Sequence, residues 1–115
     1  MGLVRRGALF YNYTVFFWNL WYTITMNAAK LAVAIKILKN AGCSEIYLFG
    51  SQATGRANAN SDIDLGVRGL SSVSIFGLHY DLEQALRTKV DLVDFDHQTD
   101  FFNLLQKVGE LKKIG

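Results

Sequence analysis

The run Gly50-Ser51-Gln52-Ala53-Thr54-Gly55 and, after a polar loop, Ser61-Asp62-Ile63-Asp64-Leu65 hold the residue types and spacings that could do chemistry. A glycine–serine turn offers backbone N–H groups and a hydroxyl to an anion. Asp62 and Asp64 are two residues apart, so on a strand both side chains leave by the same face. Carboxylates that close repel unless a cation lies between them, and hard oxygen donors call for Mg²⁺. Phosphate donors beside a magnesium site suit an enzyme that handles nucleotides. The bland alternative is a surface loop with two solvated aspartates, and the flanking residues argue against it. Ser44–Phe49 reads as a strand entering the turn. Beyond it, Ile63, Leu65 and Val67 alternate with Asp62, Asp64 and Gly66, so one face can meet a core while the other carries the acids.

Elements able to position these residues can be read on both sides. Residues 27–41 form an amphipathic pattern, with Ala28, Leu31, Ala32, Ile35 and Leu38 at spacings of three and four and Gly42 as the stop. Strands are expected over 44–49, 62–67 and 89–95. A helix is expected over about 74–88, capped by Ser72 or Ser74 and buried through Leu78, Leu82, Ala85 and Leu86. A last helix is expected over 99–113, buried through Phe102, Leu105 and Val108, with Lys112 and Lys113 at its C-terminal end. The expected fold class is α/β (α+β): a small mixed sheet with helices packed on one face and an open face bearing Asp62, Asp64 and Asp91.

Gly50-Ser51, ten intervening residues and Asp62-x-Asp64 together resemble the signature of the polymerase-β-like nucleotidyltransferases. The chain is most similar there to the minimal nucleotidyltransferases (MNT) found as antitoxins beside HEPN toxins, over about residues 26–115. The resemblance implies a third carboxylate from a later strand, and Asp91 in Lys89-Val90-Asp91-Leu92-Val93-Asp94 matches that position. Asp94, three residues on, faces the other way in a regular strand. Where family members often carry arginine this chain has Gln52, and Arg56 in the same loop is the basic residue placed to serve phosphate instead.

The resemblance further implies two Mg²⁺ ions held by Asp62, Asp64 and Asp91, ATP as substrate, and Gly50, Ser51 and Arg56 on its phosphates. The acceptor it implies is a tyrosine hydroxyl on a HEPN ribonuclease toxin, with Asp91 orienting or deprotonating that hydroxyl. Two other readings stay open: a non-catalytic module that neutralises the toxin by binding it, and transfer to a small molecule.

Composition limits the alternatives. The chain has 115 residues, 50% of them hydrophobic and 19% charged, enough for a core and too apolar for a disordered segment. That length allows one domain, so the acceptor must be brought by a partner or a separate subunit. A net charge of +2 with scattered basic residues gives no footprint for direct nucleic-acid binding. The single cysteine, Cys43, cannot form an internal disulfide and favours a cytoplasmic setting; it reads as a packed residue. His79 and His97 lack the pattern of a zinc site; His79 reads as structural, and His97 as lying near the mouth of the site. Tyr47, Phe49 and Tyr80 read as core.

Residues 1–25 read as a separate aromatic-rich extension before a minimal nucleotidyltransferase domain at 26–115. Residues 7–29 carry no charge, follow Arg5-Arg6 and are long enough for a membrane span. Asn12, Asn19 and Thr23 set a polar stripe along them, which disfavours a membrane. A translated leader before Met26, a helix packed on the domain or a partner, and a membrane anchor remain the three readings. An oligomer is compatible with the sequence.

Overall fold

The computed structural model describes residue 21 and residues 25–55, 62–70 and 74–115. The expectations placed on Arg56, Ser61 and Ser72, and on the extension apart from Trp21 and Thr25, lie outside the described residues. No helix among the described residues is long and apolar enough to cross a membrane.

Helix α1 covers residues 25–40, and the chain leaves it through Gly42, whose φ of 95° only glycine adopts without strain. Strand β1 (Glu45–Phe49) leads into the single turn of helix α2 (Ser51–Thr54). Strand β2 (Ile63–Arg68) follows, then helix α3 (Ile75–Leu86), strand β3 (Val90–Asp94), helix α4 (Thr99–Val108) and strand β4 (Leu111–Lys113). The four strands make one sheet in the order β3-β2-β1-β4. β1 runs antiparallel to β2 and β4, whereas β2 and β3 are parallel. A parallel pair needs a crossover, and α3 supplies it. Ser74 caps α3 as expected, its hydroxyl accepting the Gly77 N–H.

Strand alternation divides the core in two. Ile46, Leu48, Ile63, Leu65, Val67 and Val90 point to one face, where they pack with Ala34 and Leu38 of α1 and Leu78, Leu82 and Leu86 of α3. Burying side chains of that size contributes roughly 1.5–3 kcal/mol each. Tyr47 and Phe49 of β1 point to the opposite face, with Phe95 just after β3 and with Leu105, Phe101 and Phe102 of α4. The Phe95 ring centroid lies 5.2 Å from that of Phe102 and 5.9 Å from that of Tyr47, both edge-on.

The mixed sheet with α1 and α3 on one face is as expected; α4 differs, covering part of the acid-bearing face. Phe95, against which α4 packs, takes its place over Gly66, where an added Cβ would lie 1.9 Å from the Phe95 ring. The last helix is also shorter than expected. It ends at Val108 because Gly109 turns left-handed at φ 74°, and Leu111–Lys113 then add an edge strand to β1. Lys112 and Lys113 are exposed on that edge, where charge discourages further pairing. Leu38, Leu78, Leu82, Leu86 and Leu105 are buried as expected, and single positions beside them differ. Ala28 and Ala32 are exposed while Ala34 is buried, Ala85 is exposed, and Val108 is 57% exposed. Tyr80, expected in the core, is 63% exposed, whereas Tyr47 and Phe49 are buried.

Candidate active site

The register brings Phe49, Asp64 and Asp91 side by side across β1, β2 and β3. Ile63, Leu65 and Val90 take the core face, so Asp64 and Asp91 share the opposite one. Neighbouring strands are about 4.8 Å apart, within reach of two carboxyl groups. Asp62 sits one residue before β2, exposed and close enough for its charge to act on Asp64.

Burial is the main reason the Asp64 carboxyl is pushed up from 3.8 to about 6; the charge of Asp91, a hydrogen bond with its carboxyl, and the charge of Asp62 add to it. A hydrogen bond between two carboxyl groups requires one of them to hold a proton. The pair is therefore an electrostatic conflict that a cation would resolve in the proton's place.

The β1–α2 turn closes against this pair. Gly50, at φ 70° and ψ −145°, joins the strand to the helical turn. A Cβ at Gly50 would lie 2.4 Å from Asp64 Oδ2, so backbone and carboxylate meet with no room for a side chain between them. The Gly50 carbonyl accepts the N–H groups of Ala53 and Thr54. The N–H groups of the first turn then face outward from its start, beside Ser51. Next to Ser51, the Gln52 side-chain Nε2 is buried without a hydrogen-bond partner. A buried donor left open within a phosphate-type turn is a place for a ligand oxygen.

Carboxylate oxygens are the donors Mg²⁺ takes. Among the described residues no three acidic, histidine or cysteine side chains gather into a ready-made cage. Mg²⁺ is commonly bound by one or two carboxylates and completed by substrate phosphates. Asp64 and Asp91, adjacent across β2 and β3, are the residues that could hold such an ion, with exposed Asp62 beside them.

The remaining candidates stand away from this cluster. Asp94 does face the other way: its carboxylate accepts the Asp96 N–H at 3.0 Å and pairs with His97 Nδ1 at 2.8 Å. His97 therefore lies past the far end of β3 from Asp91, not at the mouth of the site. Arg68, at the far end of β2, lies 5.0 Å over the Phe102 ring and pairs with Glu45 and Asp96. Cys43 is buried and free, its thiol pushed up by burial and then by the charge of Asp94. Sequence reading passed over Gln52 as a donor; its place in the Gly50-Ser51 turn was the available signal.

The chain matches, over residues 33–111, the family described as polymerase beta, nucleotidyltransferase. It is similar to a chain in a crystal structure of a toxin–antitoxin with AMP-PNP, at 32% identity over 76% of this chain and 71% of that one, with a TM-score of 0.60. A second similar structure is the toxin–antitoxin MntA–HepT, at 27% identity, 75% and 69% coverage and a TM-score of 0.57. A third is tri-AMPylated HEPN toxin of Shewanella oneidensis in complex with MNT antitoxin, at 26% identity, 76% and 70% coverage and a TM-score of 0.56. No curated protein sequence matches the chain.

Proposed function

We propose that this chain, which belongs to the polymerase-β nucleotidyltransferase family, moves AMP from ATP to a tyrosine hydroxyl of a HEPN-type toxin and so acts as its antitoxin. The observation that carries the reading is the Asp64–Asp91 pair, set on adjacent strands against the Gly50 turn, with the Asp64 carboxyl pushed up to about 6. The similar structures supply the substrates: one holds AMP-PNP, and another contains an AMPylated HEPN toxin with MNT antitoxin. The catalytic unit is taken as residues 26–115, and the setting as cytoplasmic.

In this reading Gly50, Ser51 and the open Gln52 amide bind the β- and γ-phosphates through N–H and O–H donors, with Arg56 assisting. Asp62 and Asp64, joined by Asp91, hold Mg²⁺. Bound there, the metal supplies charge stabilisation for the attacking and leaving oxygens of an in-line displacement. Asp91 orients the acceptor hydroxyl and takes its proton, a task set by hydrogen-bond reach before any special acidity. The hydroxyl oxygen bonds to the α-phosphorus while the bond to the β-phosphate oxygen breaks. Pyrophosphate leaves with the Gly50-Ser51 donors.

The test uses the chain, Mg²⁺, α-labelled ATP and a HEPN-type toxin as acceptor. Label on the toxin with the wild type, absent with Asp64→Ala, supports transfer. Neutralisation of the toxin that survives Asp64→Ala without label would instead mean plain binding. Label only on a small molecule would move the acceptor class.

A further inference from the structure

β3 is an edge strand, so its outer N–H and C=O groups have no neighbouring strand. Among the described residues, Val90 is the only β3 residue whose backbone is bonded by side chains of another element. The Val90 N–H donates to Glu83 Oε2 at 3.2 Å, and the Val90 carbonyl accepts from His79 Nε2–H at 2.5 Å. Both side chains come from α3, one helical turn apart, and His79 Nε2 also lies 3.3 Å from Glu83 Oε1. His79 must then carry its proton on Nε2, and one carboxylate braces both bonds.

These contacts hold the two peptide planes on either side of Val90. The plane joining Lys89 to Val90 is fixed from both edges: the Lys89 carbonyl accepts the Ile63 N–H at 3.1 Å, and Glu83 takes the opposite N–H. The plane joining Val90 to Asp91 is held by His79 on its carbonyl, while the Val90 side chain, 1% exposed, anchors the residue in the core. Asp91 begins at the end of that second plane and points to the face that carries Asp64.

We infer that His79 and Glu83 are positioning residues that hold the Asp91 carboxyl in register with Asp64; the catalytic part of this inference rests on the transfer proposed above. A misplacement of about 1 Å at a reacting group can cost about 10²-fold in rate. Side chains bonded to backbone one residue away are a direct means of preventing it.

The experiment compares Glu83→Ala with Glu83→Gln in the full chain, with Leu78→Val as a control that thins the buried face of α3 without touching the Val90 backbone. Glutamine keeps an oxygen able to accept the Val90 N–H and gives up only the contact to His79 Nε2, whereas alanine loses both. Glu83→Ala is expected to lower kcat for toxin labelling about tenfold or more, with KM for ATP within about twofold. Glu83→Gln is expected to recover most of kcat, and Leu78→Val to keep it despite an equal or larger loss of Tm.

A Mn²⁺ titration in the presence of ATP reads the same geometry without any acceptor, and Glu83→Ala is expected to weaken binding about fivefold while Glu83→Gln does not. If the wild type labels nothing, the transfer reading fails, and the titration alone then decides the clamp. Unchanged kcat and Mn²⁺ binding in Glu83→Ala, or equal losses in Glu83→Gln or Leu78→Val, would overturn it.

Discussion

Asp64 sets the sign of an acid–base effect on stability. Its carboxyl is raised in the fold from 3.8 to about 6, so the native state binds a proton that the unfolded chain releases. The associated stability is present in full below pH 3.8 and is lost as pH rises through about 6. The metal-free protein should therefore lose stability between pH 5 and about pH 7 in thermal melts and level off above that, and Asp64→Asn should remove the slope. The variant should gain about 1 kcal/mol at pH 8, discounted because the carboxyl is partly exposed. Glu45, held down by the Tyr47 hydroxyl, acts with the opposite sign and only below its ordinary 4.5, outside this window. Gln52 gives a second prediction at this scale. Its buried amide nitrogen has no partner, so Gln52→Ala should leave the Tm of the empty protein unchanged or slightly raised, since an unsatisfied donor is removed. If that donor serves phosphate, the same change weakens ATP binding about tenfold, read by calorimetry.

Individual elements carry the site because their register and their glycines leave it no freedom. Gly66 lies two residues past Asp64 on the same face of β2, and Phe95 fills the space where its side chain would stand. Gly66→Ala should cost about 2 kcal/mol or more in urea unfolding, because the Phe95 ring would have to move within a packed cluster. Strands β1 to β3, α3 and the acid face were legible from apolar alternation and helical spacing and from the glycine–serine turn, whereas β4 was not. The end of α4 was not, since Lys112 and Lys113 suit a helix C-terminus as well as a sheet edge, and Gly109 decides between them only once its left-handed φ is known. The placement of α4 was equally hidden. Phe101, Phe102 and Leu105 give an apolar stripe, but nothing in that stripe says which face of the sheet it covers. The β3 clamp was also out of reach, because His79 and Glu83 acquire meaning only from the backbone that they bond.

At the scale of the whole molecule, two cores sandwich one sheet, and the polar site opens where α4 leaves the second face uncovered. Acidic groups crowd that opening, so under the proposed function a cation and its nucleotide binding there would stabilise the fold by mass action. ATP with Mg²⁺ should raise Tm more than either alone at pH 8, and ligand at about 100 times its Kd corresponds to about 2.7 kcal/mol. The coupling should shrink at pH 5, below the raised Asp64 value of about 6, where a proton competes with the cation for that carboxyl. The most direct measurement is the intact mass, with peptide mapping, of a HEPN-type toxin after incubation with ATP, Mg²⁺ and this chain. The expected result is a mass gain in whole AMP units on a tyrosine with the wild type, abolished by Asp64→Asn and by Asp91→Asn. A toxin of unchanged mass, or equal modification by both variants, would contradict the assignment of transfer to these two carboxylates.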